Sequence, residues 1–282
     1  MSQAQLMDGT GLARRIVDET AKRAADLTER TGVAPCLATV LVGEDPASVT
    51  YVRMKQNRSR KAGIESRHVA LPAGTSTAEL VGTLTALSAD PTVHGILLQH
   101  PMGHHIDERA AFEAIAPEKD VDGVTLASFS AMSFGLPGFA SCTPGGIMRL
   151  LDEYDVDPAG KRAVVVGRSA ILGKPVGMLL LGRDATVTYC HSRTADLSAV
   201  VREADIVVAA VGRPRLIRGE DIKPGAVVVD AGYNPGNIGD VDFDSARERA
   251  SLITPVPGGV GPMTIATLLA QTVEAATRQT GA

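Results

Sequence analysis

The 282-residue chain has three cysteines, Cys36, Cys142 and Cys190, an odd number, far apart and with no Cys-x-x-Cys spacing. That pattern argues against a disulfide framework and against a structural zinc site. No apolar run approaches the roughly 20 residues that span a bilayer. The opening Met1 to Thr10 lacks a basic start followed by an apolar block, so no export signal is expected and the cytoplasm is the expected address. Basic residues do not dominate either: 28 Lys and Arg against 32 Asp and Glu leave a formal charge of −4. A general nucleic-acid binder would need a basic surface to displace phosphate counterions, and neither nucleic acid nor membrane is an expected partner. One local basic cluster, Lys55, Arg58, Arg60 and Lys61, lies on one expected helix, where an anionic tail could pass. His100, His104 and His105 invite a metal, yet Pro101 and Gly103 interrupt a helical presentation and no His-Glu-x-x-His completes it, so no metal site is expected.

What is present is an alternation of short apolar runs with helical periodicity. Ala163 to Val166 is a continuous β-branched run that stops at Gly167, and Gly167 and Gly173 bracket a short polar loop that runs on to Pro175. This reads as a buried parallel strand, a tight turn and a helix, whose N–H groups suit a pyrophosphate. The full G-x-G-x-x-G pattern is absent, because Ser169 replaces the second glycine and the last comes one residue late. The next run, Ala185 to Tyr189, ends in Cys190-His191-Ser192-Arg193-Thr194, with no acid where NAD would present its ribose 2′-hydroxyl. Arg168, Ser192 and Arg193 instead suit a 2′-phosphate, so NADP is the expected cofactor, against the alternative of a solvated loop with incidental arginines. Further runs, Ile206 to Ala210 and Ala226 to Asp230, are each followed by a glycine, Gly212 and Gly232, at the same expected sheet edge. Strands alternating with helices imply an α/β fold whose second domain is a Rossmann-like, doubly wound parallel sheet.

The first half holds a helix through Leu12 to Leu27, a buried strand Cys36 to Val42, and a helix from near Ser48 to Gly63. That helix carries Tyr51 and Lys55 on one face, near a strand end where ligands gather. The same two residues also suit plain packing and a solvated charge. A strand Glu65 to Leu71 follows, then a helix from the capping box Ser76-Thr77-Ala78-Glu79 to about Ala89. Gly95 to Leu98 delivers Gln99, whose amide could hold the Lys55 ammonium. Phe129 to Ala140 shows no periodicity and serves as a boundary, and Thr143 caps the helix that follows. Thr254 to Thr264, with rigid prolines around glycines, reads as a binding loop or a linker, and includes Gly259 and Pro262.

Taken together and in order, Tyr51 to Lys55, Gln99 with Pro101, Lys119 to Gly123, Cys142-Thr143-Pro144, Gly167-Arg168-Ser169 and Pro255 to Thr264 resemble the bifunctional methylenetetrahydrofolate dehydrogenase/methenyltetrahydrofolate cyclohydrolase family. The resemblance covers nearly the whole chain. It implies two α/β domains: residues 1–120 binding folate, and 121–282 binding NADP with the C-terminal helix 263–282 packing back on the first. It implies oxidation of 5,10-methylenetetrahydrofolate to the methenyl form with NADP, then hydrolysis to 10-formyltetrahydrofolate, as part of one-carbon metabolism. Lys55 would be the central catalytic residue, with Gln99 orienting it, Tyr51 stacking on the folate and Asp122 binding the pterin. Gln99, Pro101, Gly259, Pro262 and Thr264 would join Tyr51 and Asp122 around the substrate. Gly167, Arg168, Ser169, Gly173, Pro175, His191, Ser192, Arg193, Gly212 and Gly232 would surround the cofactor, and the assembly would be a homodimer. His100-Pro101-Met102-Gly103 departs from the family's usual segment. A dehydrogenase with weakened cyclohydrolase activity, or a non-catalytic binder of NADP and folate, are the alternative readings.

Overall fold

The computed structural model describes residues 3–43 and 55–282. It divides into two compact units: one of residues 15–131, 136–140 and 267–282, the other of residues 1–14, 132–135 and 141–266.

The first of these is built on three parallel strands, β2 (Cys36–Val42), β3 (Glu65–Leu71) and β4 (Gly95–Leu98), in the order β3-β2-β4. All seven residues of β2 are buried because it is flanked on both edges, Val40 pairing with Val69 on one side and Leu98 on the other. A strand covered on every side can be uniformly apolar, whereas β3, at the sheet edge, carries Glu65, Arg67 and His68 outward. Between β2 and β3 the chain is helical at 55–61, here α2. Helix α1 (Gly9–Thr31) precedes β2. Helix α3 (Thr77–Ala89) starts at the expected capping box: Glu79 N–H donates to Ser76 Oγ, and Ser76 N–H donates to the Glu79 carboxylate at 2.8 Å. After β4 come α4 (Glu108–Glu113) and α5 (Leu126–Ser133). The stretch expected to be an irregular boundary is therefore helical in its first part. Asp120 explains it: fully buried, it accepts N–H bonds from Val124 and Thr125 and the hydroxyl of Ser128, which organises the start of α5.

The second unit is a six-stranded, all-parallel sheet, ordered β1 (Gln5–Leu6), β9 (Leu252–Ile253), β8 (Val227–Asp230), β7 (Ile206–Ala209), β5 (Arg162–Val166), β6 (Thr186–Cys190). Its core joins strand residues such as Val164, Val166, Val207 and Val228 to helix and loop residues such as Val201, Ile217, Ile222 and Val241. Helix α6 (Cys142–Glu153) leads into β5, α7 (Gly173–Leu181) links β5 to β6, α8 (Leu197–Arg202) links β6 to β7, and the short α9 (Phe243–Arg247) lies between β8 and β9. Gly177 lets α7 lie directly on β6: a Cβ there would come within 2.2 Å of the Tyr189 hydroxyl, which donates to Lys174 O at 2.9 Å. Thr143 is not the cap of α6. The N-cap position falls to Ser141, and Thr143 lies inside the helix with its hydroxyl 2.9 Å from that of Thr264. Helix α10 (Val260–Thr280) begins four residues before the expected end of the proline- and glycine-rich loop at Thr264. Among the described residues no helix is long and apolar enough to cross a membrane.

In both sheets one central strand is flanked by the two that follow it in the chain: β2 by β3 and β4, β5 by β6 and β7. The chain reverses its direction of travel across the sheet there, and loops on either side part to leave a crevice at the strand C-termini.

Candidate active site and cofactor cleft

At the reversal around β2, Lys55 begins the described part of α2 and Gln99 immediately follows β4. Gln99 N–H donates to Val40 O at 2.9 Å, extending the β2–β4 ladder and fixing where its side chain starts. Lys55 is 8% exposed, and its Nζ donates to Gln99 Oε1 at 3.0 Å. The amide is oriented by its other end, because Gln99 Nε2 donates to His100 O at 2.8 Å and so turns Oε1 toward the lysine. Ser59 Oγ donates to Lys55 O, anchoring the same turn of helix from below. A buried amine held by a neutral acceptor is pinned in direction without a counter-charge at that contact. That arrangement suits a group that must give or take a proton.

Asp122 is half-buried in the same unit, in the turn after the 3₁₀ segment Pro117–Lys119. The turn is pinned on three sides. Val121 is fully buried against Gly95, where a Cβ would come within 2.7 Å of it. Gln271 Nε2 donates to Val121 O, and Lys119, itself buried, donates to Asp90 O at 2.7 Å. Pro101 is exposed, joined to His100 by a cis peptide bond. Tyr51, and with it the expected start of its helix at Ser48, lies outside the described residues. Arg58 is half-buried on α2, while Arg60 and Lys61 are exposed. The three clustered histidines take different surroundings: His100 lies edge-on to Phe112, His105 Nε2 meets Thr75 O, and His104 is exposed.

In the other unit, Thr264 sits in the first turns of α10 beside Thr143, with Pro262 half-buried. Gly259 is buried, and its missing side chain serves packing within the loop, since a Cβ there would come within 2.6 Å of the Thr254 Cβ and 2.7 Å of Pro255 O.

The reversal around β5 opens a cleft of 430 Å³ above β5, β6 and β7. Gly167, Arg168 and Ser169 line it after β5, His191, Ser192 and Thr194 after β6, and Ala210, Val211 and Arg213 after β7. Gly167 has φ 135°, and a Cβ there would lie 2.2 Å from Ala210 O, so only glycine fits this wall. Gly173 starts α7 hard against the same turn, where a Cβ would come within 2.5 Å of Gly167 O, and Pro175 is buried in the first turn of α7. The helix start differs from expectation in one respect. Ser169 Oγ accepts the N–H groups of Leu172 and Gly173, both at 3.2 Å, so the serine in place of the second glycine caps the helix and takes up two of the donors expected to face a pyrophosphate.

The turn after β6 is tied by its own side chains: His191 N–H donates to Thr194 Oγ1 and Arg193 N–H to His191 Nδ1. Arg193 is exposed on that turn and is not among the lining residues; Ser192 is. Gly212 and Gly232 are not among the lining residues; each donates its N–H to a buried carboxylate, Gly212 to Asp240 and Gly232 to Asp230. Thr194, Leu197, Val211, Arg213 and Leu216 were not singled out from the sequence. Only their place in the segments just after β6 and β7 could have marked them. None of the lining residues is acidic, two are arginines, and Leu197, Val211 and Leu216 supply an apolar surface. The missing Cβ at Gly167, the apolar surface and the arginines together fit a dinucleotide carrying an extra phosphate.

Residues 7–122 match the model of the tetrahydrofolate dehydrogenase/cyclohydrolase catalytic domain, and residues 141–280 that of the family's NAD(P)-binding domain. A bifunctional protein FolD 1 of Streptomyces avermitilis is 81% identical over 278 residues, covering 99% of this chain and 97% of the relative. The crystal structure of a bifunctional FolD methylenetetrahydrofolate dehydrogenase/cyclohydrolase from Campylobacter jejuni superposes with a TM-score of 0.95 at 42% identity, covering 98% of this chain and 99% of that one. The Trypanosoma brucei methylenetetrahydrofolate dehydrogenase-cyclohydrolase, solved with NADP and an inhibitor, gives 0.96 at 39% identity, with both chains covered in full.

Proposed function

The chain belongs to the tetrahydrofolate dehydrogenase/cyclohydrolase family, and on that premise we propose that Lys55, oriented by Gln99, serves the hydrolytic step while the cleft above β5, β6 and β7 holds NADP for the oxidative one. The protein carries both activities: it oxidises 5,10-methylenetetrahydrofolate to the methenyl form and hydrolyses that to 10-formyltetrahydrofolate. When bound, the nicotinamide supplies the redox chemistry by accepting a hydride. The protein contributes the binding: Gly167 admits the dinucleotide backbone, and Arg168 with Ser192 offers donors to the 2′-phosphate, a preference for NADP over NAD supported by the absence of any acid among the lining residues.

The observation that carries the hydrolytic assignment is the Lys55 Nζ to Gln99 Oε1 bond at 3.0 Å. Hydrolysis adds water across the methenyl carbon, breaks one carbon–nitrogen bond and releases one proton. An amine is a suitable acceptor for that proton once its lone pair is free. Gln99 Oε1 accepts one N–H of the amine and so sets its direction. Asp122 is assigned to the pterin, Tyr51 to stacking on the folate, and Pro101, Gly259, Pro262 and Thr264 to the substrate's surroundings, on the strength of the family resemblance. The homodimer and the cytoplasmic address rest on the same resemblance.

Replacing Lys55 by Met keeps the length and removes the amine. Cyclohydrolase activity is expected to fall by at least about 10², the lower end of general acid–base contributions, with NADP affinity retained as a check on folding. Hydrolysis near the unmodified rate, measured as methenyl decay, would place the proton acceptor elsewhere.

A further inference from the structure

One cation at the rim of the cofactor cleft was assigned neither by the sequence pattern nor by the resemblance. Arg213 comes four residues after the end of β7 and lines the cleft with Val211 and Leu216. Its backbone is held from behind. The N–H groups of Val211, Gly212 and Arg213 donate to the Asp240 carboxylate at 2.6, 2.9 and 2.8 Å. Asp240 is fully buried and accepts a fourth bond from Asn234 Nδ2 at 3.1 Å.

Three successive N–H groups converging on one point form an anion-binding nest. Here the protein's own carboxylate fills it. The turn's backbone is therefore unavailable to a phosphate, and what the turn presents to the cleft is its side chains. Two of these, Val211 and Leu216, join Leu197 in an apolar surface suited to the face of an adenine. Arg213 stands exposed at the edge of that surface. Arg218, which lines the adjoining cavity with it, has Glu220 at 3.9 Å; Arg213 has no ion pair within 4.0 Å among the described residues.

The position along the dinucleotide follows from the strands. The pyrophosphate belongs over the turn after β5, and the ribose of the adenosine toward the end of β6. Arg213 shares the cleft with Thr194 and Leu197, which follow β6, and so lies toward the adenosine end. A guanidinium there meets either the adenine ring or a 2′-phosphate, and only the second distinguishes NADP from NAD.

We propose that Arg213, positioned by Asp240, is a further specificity-determining residue of the dehydrogenase, joining Arg168 and Ser192 on the 2′-phosphate of NADP. The inference rests on the cofactor placement proposed above, and Arg168→Gln tests that placement separately.

The experiment compares the unmodified enzyme with Arg213→Gln, Arg213→Lys and Arg168→Gln in NADP- and NAD-dependent turnover, and in competitive inhibition by adenosine 2′,5′-bisphosphate and by 5′-AMP. For Arg213→Gln the KM for NADP and the inhibition constant of the bisphosphate are expected to rise about tenfold, a loss of roughly 1.4 kcal/mol. The KM for NAD, inhibition by 5′-AMP and kcat stay within about twofold, since no charge-assisted contact to those ligands is removed. Arg213→Lys restores part of the loss. Equal weakening of both nucleotides would mean adenine stacking or a displaced turn, and no change in either would mean no contact; each overturns the inference. If Arg168→Gln also leaves NADP affinity unchanged, the cofactor placement fails. If it weakens NADP while Arg213→Gln does not, only the role of Arg213 fails.

Discussion

Asp230 closes β8 and is 4% exposed, its carboxylate accepting the N–H groups of Gly232, Asp240 and Val241 at 2.9 to 3.0 Å. Burial pushes its pKa up to about 6; the three N–H bonds pull the other way, and the neighbouring Asp240 charge adds to the rise. In the unfolded chain the same group titrates near 3.9. Between about pH 4 and pH 6 the folded protein keeps a proton there that the unfolded chain has released, so the stabilisation is complete below pH 4 and is lost as pH rises through 6. The expected size is of the order of 2 to 3 kcal/mol, at 1.36 kcal/mol per pKa unit. Asp205, bonded to Lys223, has its pKa lowered and works in the opposite sense, its contribution fading in acid. Comparison with Asp230→Asn isolates one group from the rest. From pH 4 to pH 7 the stability difference, measured by urea unfolding, should move by that amount in favour of the variant, and a difference that stays constant with pH would show that Asp230 holds no proton in the folded state.

Helices and strands were legible where local chemistry alone decides them. The limits of β2 and β4 coincide with apolar runs ended by Gly43 and Gln99, β3 stops at Pro72, and α3 begins where Ser76 and Glu79 satisfy each other's neighbouring N–H groups. Ser76→Ala removes the acceptor for Glu79 N–H. It should lower stability by about 1 kcal/mol with both activities intact, and unchanged stability in the same unfolding assay would mean that packing alone fixes the start of α3. Other elements were hidden. Helix α5 depends on Asp120, six residues before it, acting through three bonds that no periodicity reveals. The start of α10 was obscured by Gly261 and Pro262, yet a proline in the first turn of a helix loses no hydrogen bond, because the N–H groups there have no partner within the helix.

Across the chain, the two ligand regions follow one construction rule, a crevice at the C-termini of strands where the order of travel reverses. The rule explains why the sequence carried so much of the site. Gln99, Gly167, Ser192 and Gly212 each come within three residues of the end of a recognisable apolar run, while Lys55, 44 residues before Gln99, lies on the helix that follows β2. Strand ends are visible in a sequence, and in this architecture strand ends are where ligands go. The supports behind those ends were not visible. Asp240 reaches Val211 from 29 residues away, and Asp230 reaches Val241 from 11. No spacing signals that an acid will turn inward to hold a neighbouring loop. Arg213 was missed for a related reason: in Val211-Gly212-Arg213-Pro214-Arg215 it looks like one of several solvated arginines, and only its turn sets it at the rim.

The filled nest at Asp240 also has a consequence in time. Gly212 and Arg213 are exposed, as a surface turn should be, yet their N–H groups and that of Val211 end on an acceptor with no solvent access. Replacement of those hydrogens by deuterium requires the turn to lift off the carboxylate, a local opening rather than a wait for water to arrive. The three amides should therefore exchange far more slowly than surface amides without partners, and already at that slow rate before any nucleotide is added. Followed by NMR or by mass spectrometry of peptides spanning 206–216, with and without NADP, their protection should be nearly the same in both conditions. Rapid exchange that NADP abolishes would instead describe a wall assembled only on binding, with the ordering cost charged to the affinity.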